Sequence, residues 1–213
     1  MRLQFQEEGF DPKAVRQIFI THAHTGHFGG AFELRSRTGA RVLAHPLAVA
    51  PMARTEWDNA TLINIRMGRF PADHRPRPCP VDATFQDGDR LRAGNIELQV
   101  IHTQGHTKDS CCLLFQDNGK RALCTGDYLF YGGKIGLLNL EGCSMGDYRR
   151  DVRKLAELGV DMLLPAHGVF VLSRGQKHID RAIHKLGDFV MPESFFETNE
   201  LSWDREYLRM MGA

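Results

Sequence analysis

The feature that most restricts this chain is the run THAHTGHFGG at 21–30, placed directly after the apolar stretch QIFI at 17–20. His22, His24 and His27 fall within six residues. Along an extended chain residues i and i+2 point to one side, so His22 and His24 can grip the same ion. The turn at Thr25-Gly26 then redirects His27 toward a neighbouring position. Neutral imidazole suits zinc and other borderline metals. A lone histidine would read as an ordinary core or surface residue. Three at this spacing, in a glycine-punctuated loop after an apolar strand, point instead to a site at a strand end.

The chain repeats that arrangement. TQGHT at 103–107 places His106 in a loop between two strands. TGD at 125–127 puts Asp127 directly after an apolar strand, and PAHG at 165–168 puts His167 after another. Strand ends that deliver His or Asp four times are what a metal site at one edge of a sheet requires.

The remaining pattern predicts a mixture of strands and helices without a strict βαβ repeat. Residues 13–21 read as a helical turn running into a buried strand. Residues 31–38 read as a helix stopped by Gly39, 41–44 as a strand, and 46–67 as helical pieces interrupted near Pro51. RFPADHRPRPCP at 69–80, with four prolines, reads as a strap or a flap over a cleft. From 81 to 127 the pattern is β, with turns at 87–89, 94–95 and 117–119 between strands at 96–102, 110–115 and 121–125. An amphipathic helix is expected over 147–158 with Tyr148, Val152 and Leu155 inward, a strand over 161–165, and a last helix over 175–190. In the tail from 191, Phe195, Phe196, Trp203 and Tyr207 suggest packing or a dimer contact.

Length and composition narrow the partners. A chain of 213 residues, 42% hydrophobic, suits one domain over 1–213, with the role of 191–213 open. The net charge is +1, from 27 basic and 26 acidic residues, which gives no electrostatic footprint for nucleic acid or an anionic membrane. No apolar run reaches spanning length, and MRLQFQEEGFDP carries charges where a signal peptide needs an apolar stretch, so a cytoplasmic location and a small-molecule substrate are expected. The five cysteines contain no CxxC and read as free thiols; Cys111 and Cys112, adjacent in a strand, face opposite sides.

THAHTGH resembles the THxHxDH signature of the metallo-β-lactamase superfamily, and GHT, TGD and PAHG resemble its next three ligand motifs in order. The resemblance covers about residues 10 to 190. It implies an α/β fold of the αββα sandwich type with the site at one sheet edge. It also implies a first metal position from His22, His24 and His106, a bridging and catalytic carboxylate in Asp127, and a second position involving His27 and His167. The cofactor implied is zinc, one or two per chain, with iron as the alternative metal. The implied activity is hydrolysis of an ester-like bond (thioester, lactone, β-lactam or phosphoester) by a zinc-bound hydroxide, closer to glyoxalase II-like and lactonase-like members than to nucleases. The alternatives are a mononuclear iron oxygenase acting on persulfides and a metal-binding protein without catalysis. The chain departs from the signature at Gly26, where the family carries an aspartate, which predicts a weaker second position. Only 21 residues precede His22, so some N-terminal strands of the fold are expected to be missing, with a homodimer partner as cover for the exposed edge.

Other residues carry weaker expectations. Tyr131 and Lys134, in the glycine-rich loop after Asp127, are candidates for substrate contact. His102 reads as orienting or packing, His45 as a supporting or surface residue, His74 as solvated, and His178 and His184 as lying on the polar side of the last helix.

Overall fold

The computed structural model describes residues 9, 11–54, 59–66, 68, 70–74, 77–188 and 191–196. After a 3-10 turn at Pro12–Ala14 come β1 (Gln17–Phe19), α1 (Thr25–Phe28), α2 (Ala31–Thr38), β2 (Arg41–Ala44), α3 (Pro46–Ala53), α4 (Asn59–Arg66) and β3 (Ala83–Thr84). Then follow β4 (Arg90–Ala93), β5 (Ile96–His102), β6 (Cys111–Asp117), β7 (Lys120–Gly126), α5 (Met145–Asp151), β8 (Met162–Pro165) and α6 (Gln176–Gly187).

The strands form two sheets. The first has the order β1-β2-β3, all parallel. The second has the order β4-β5-β6-β7-β8, antiparallel until the parallel pair β7-β8. Local sequence dictates the hairpins. Gly94-Asn95 closes β4 on β5, and Asn118-Gly119 closes β6 on β7 with both residues left-handed, at φ 48° and 77°. That two-residue geometry matches the natural twist of paired strands. Parallel pairing needs a crossover, supplied by helices between β1 and β2 and between β7 and β8.

Alternation along the strands builds four layers. Val42 and Ala44 face outward onto Phe28, Ala31, Ala48 and Met52 of the helices covering the first sheet. Leu43, between them, faces inward with Phe85 onto Val100, Cys111 and Leu113 of the second sheet. The opposite residues of that sheet, Ile101, Cys112 and Leu123, meet Tyr148, Val152, Ile179, Ala182 and Leu186. Helices, sheet, sheet, helices is therefore the order of layers. Cys111 and Cys112 lie in different layers, both buried, and all five cysteines are free thiols.

Several expectations are corrected. The break expected near Pro51 falls just past it: α3 runs to Ala53 and Arg54 is extended. Pro51 lies in the last turn, where its missing N–H removes one bond from a helix about to end. The helix expected over 147–158 begins earlier, at Met145, where the Ser144 hydroxyl accepts from Asp147 N at 3.2 Å. It tightens into a 3-10 turn at Val152–Leu155, and left-handed Glu157 and Gly159 then steer the chain into β8. The last helix is Gln176–Gly187, and His184 on it is exposed. His178 is buried, not on a polar face, because the 131–133 turn covers it: Gly132 N donates to its Nδ1 at 3.1 Å and the Tyr131 ring lies 4.6 Å away. His74 is half-buried rather than solvated, its ring 4.7 Å from Phe70. The described part of the 69–80 strap has no helix or strand. Trp203, Tyr207 and residues 1–8, where missing strands were at issue, lie outside the described residues. Among the described residues no helix is long and apolar enough to cross a membrane.

Candidate metal centre

The two sheets meet at a seam where strand ends converge. The Thr21 carbonyl, just after β1, accepts from Cys111 N at the start of β6 (2.9 Å). Ala23 N, between the first two histidines, donates to Asp109 Oδ2 (2.7 Å). Ala166 N, just after β8, donates to the Gly126 carbonyl at the end of β7 (2.9 Å). These bonds bring the segments carrying His22, His106, Asp127 and His167 to one place. Gly126 is required there. Its φ is +52°, and a Cβ would lie 2.9 Å from Thr21 Oγ1.

Two donor groups result. His22, His24 and His106 present nitrogens within 4.8 Å of one another, and the nitrogens of His22 and His27 lie equally close to each other and to a carboxylate oxygen of Asp127. His22 belongs to both. Its ring centroid lies 4.9, 4.0 and 4.7 Å from those of His24, His27 and His106. His27 Nε2 is 3.1 Å and His106 Nε2 3.8 Å from Asp127 Oδ2. His167 stands outside both groups. Its side chain is 50% exposed, with Nε2 3.5 Å from Asp127 Oδ1 and the ring 5.2 Å from that of His27.

Neighbours fix the protonation of these groups. His106 Nδ1 donates to the Gly136 carbonyl at 2.5 Å. A carbonyl can only accept, so Nδ1 carries the proton and Nε2 turns a lone pair toward His24 Nδ1, 3.0 Å away, and the cluster. Gly136 can approach so closely only without a side chain: a Cβ would fall 1.9 Å from the Asp127 carbonyl oxygen. Burial, with the adjacent His24, pushes the His106 pKa down to about 3. Burial and the neighbouring imidazoles hold His22 well below the ordinary histidine value. Both rings are therefore neutral donors at pH 7. Burial alone would raise the Asp127 pKa, but the hydrogen bonds from His167 and His27 outweigh it and keep the carboxyl well below the usual range.

The residues present fit a metal ion. His22 Nε2 is fully buried and has no hydrogen-bond partner among the described residues, an arrangement that is costly unless something else satisfies it. Neutral imidazole nitrogens around a buried carboxylate are the donor set that zinc, and also iron, accepts.

Tyr131 and Lys134 do not join this cluster. Tyr131 is half exposed beside His178, and Lys134 Nζ lies 3.9 Å from Glu193. His102 Nε2 donates to the Lys108 carbonyl (2.8 Å) and its ring stacks on His45 at 4.0 Å; His45 Nδ1 caps α3 by accepting from Leu47 N (3.3 Å). Supporting residues that sequence reasoning missed are Asp109, Gly136 and Asp151. Asp151 accepts from Gln104 N (2.9 Å), which anchors the loop before His106. Asp109 follows His106 by three residues in GHTKDS, a proximity that could have flagged it; Gly136 and Asp151 give no such signal.

An αββα sandwich whose strand ends gather histidines and an aspartate at one seam defines a class of metal-binding fold. The model of the metallo-β-lactamase superfamily matches residues 1–167, and the chain belongs to that superfamily. Acyl-coenzyme A thioesterase MBLAC2 of Bos taurus is 30% identical over 85% of this chain and 69% of its own length. An uncharacterized protein of Aquifex aeolicus is 30% identical over 69% of this chain and 64% of its own. A hydroxyacylglutathione hydrolase of Rhodopseudomonas palustris is 29% identical over 54% of this chain. The chain thus spans about two thirds of the first two relatives and 34% of the third. A variant of the Cronobacter sakazakii metallo-β-lactamase superposes with a TM-score of 0.64 at 24% identity, over 86% of this chain and 77% of that one, a likeness of fold.

Proposed function

We propose that this chain is a zinc-dependent hydrolase of thioesters. The observation that carries the metal is the orphaned, buried His22 Nε2 at the centre of two overlapping donor groups. What supports thioesters over other ester-like bonds is that two relatives, one from Bos taurus and one from Rhodopseudomonas palustris, bear the names of thioester hydrolases.

His22, His24 and His106 would hold the ion, with Asp127, His27 and His167 beside it. When bound, zinc supplies Lewis acidity, polarising a carbonyl and lowering the pKa of water to about 7. The chain's own residues do the rest. The Gly136 carbonyl keeps the His106 proton on Nδ1, so that Nε2 stays a donor. Asp127, ionised at neutral pH, accepts a hydrogen bond from an attacking water and orients it. His167, half exposed, borders the solvent side from which a small-molecule substrate enters.

Elemental analysis of protein purified without added metal, paired with thiol release from an acyl-coenzyme A, tests the reading. Zinc with thiol release, abolished by a chelator and restored by zinc, is expected. Iron with oxygen uptake on a persulfide, or zinc with no thiol release from any acyl thioester tried, would overturn it.

A further inference from the structure

The segment Glu193–Phe196 lies beyond residue 167, where the family match ends. It is laid along the loop that follows Asp127. Ile135 N donates to the Glu193 carbonyl (3.3 Å), and Phe195 N donates back to the Ile135 carbonyl (2.8 Å). Ser194, buried, donates from Oγ to the Leu137 carbonyl (2.7 Å) and accepts from Phe196 N (3.3 Å). Lys134 and Lys185 both reach the Glu193 carboxylate, at 3.9 and 3.7 Å. The bonded residues Ile135 and Leu137 flank Gly136, whose carbonyl takes the His106 proton.

The same segment touches the centre on two other sides. The Phe195 ring stacks on Phe130 at 4.1 Å and closes on the backbone beside His167: a Cβ at Gly168 would lie 2.8 Å from it. The Phe196 ring lies nearly parallel to His106 at 6.2 Å.

We infer that Glu193–Phe196 is a positioning element of the metal centre: it braces Ile135–Leu137 so that the Gly136 carbonyl fixes the His106 ring, and thereby sets the affinity of the His22, His24 and His106 group for zinc. The physical ground is general. The partner of a ligand's second nitrogen fixes its tautomer and orientation, and losing such a partner weakens metal binding by about 10- to 100-fold. Here the partner is a backbone carbonyl, so its own placement depends on what holds that backbone. The inference rests on the metal-binding half of the proposed function and not on thioester hydrolysis.

Zinc affinity of the full chain, measured by competition with a chromophoric chelator, tests it, with the absorption spectrum of the cobalt-loaded protein as a report on ligand geometry. Ser194→Ala removes the bond to Leu137 and is expected to weaken zinc binding about 10-fold and shift the cobalt spectrum. Ser194→Thr keeps the hydroxyl and is expected to restore both. Met191→Ala, an exposed change just before the segment, leaves both unaltered. Should Ser194→Ala fail to fold, Phe196→Leu takes its place, with a smaller loss expected. Unchanged zinc affinity and cobalt spectrum in a folded Ser194→Ala or Phe196→Leu protein would overturn the inference, as would a lower melting temperature of the metal-free protein with affinity intact. Weakened zinc binding in a protein that never hydrolyses thioesters would sink the hydrolase reading and leave the brace standing.

Discussion

The inner and outer halves of the donor set are built differently. His22 and His106 are each 1% exposed, walled by both sheets and by the Gly136 loop. On the outer side His27 is only partly covered and His167 is half exposed, held to Asp127 at 3.5 Å. The inner half is buried, which suits tight binding of an ion. The outer half faces water, which suits exchange and substrate entry. One residue, His22, belongs to both, so the halves are not independent.

His22→Ala should therefore have the largest effect, removing metal from both halves and lowering activity by more than the roughly 100-fold that supporting residues cost. Elemental analysis that still found a full metal complement would break the picture of a shared residue. A contrast between His106→Ala and His167→Ala sharpens it. The first should empty the inner position, whereas the second should leave one tightly bound zinc and reduce thiol release by about 10- to 100-fold. Equal metal loss in the two would mean that the halves do not differ. Gly26→Asp probes the outer half alone. A Cβ at Gly26 meets nothing within 4 Å, so a side chain there starts into open space. The added carboxylate should tighten a second zinc equivalent by about tenfold, ~1.4 kcal/mol, in a calorimetric titration, and leave the first unchanged.

The smallest effect concerns the inner half's support. Burial opposes ionisation of Asp151, but its bonds with Arg150 and Gln104 N prevail, so its carboxyl titrates below the usual range. A group with a lowered folded pKa stabilises the fold above its unfolded value, near ~3.9, and loses that contribution as pH falls through the folded pKa. Asp151→Asn should cost about 1 kcal/mol in urea unfolding, constant between pH 6 and 8 and vanishing in acid. A difference that grew on acidification would contradict the assignment.

The clustering of site residues was legible because each lies at a strand end marked by its own short motif. Local signals sufficed for the hairpins at Gly94-Asn95 and Asn118-Gly119 and for the stop of α2 at Gly39. They failed where the determinant is distant. Nothing near Ala83 says that it pairs with Leu43 in the first sheet, although it follows the Pro-rich strap and precedes strands of the second. His178 reads as polar-face until the 131–133 turn covers it, and Phe195 and Phe196 read as tail until the loop at 134–137 receives them. Asp151 reads as a helix-surface acid until Gln104 N points at it.

The distribution of the cluster over two sheets also has a consequence for folding. His22, His24 and His27 leave the first sheet, while His106, Asp127 and His167 leave the second, so no contiguous stretch of chain contains the site. Contacts this far apart in sequence carry a high loop-closure cost and form slowly. The hairpins of the second sheet can assemble early from neighbours, but the cluster exists only once both sheets have docked. The site therefore depends on the docking of the two sheets, and opening the seam separates its two groups of residues even with each sheet intact.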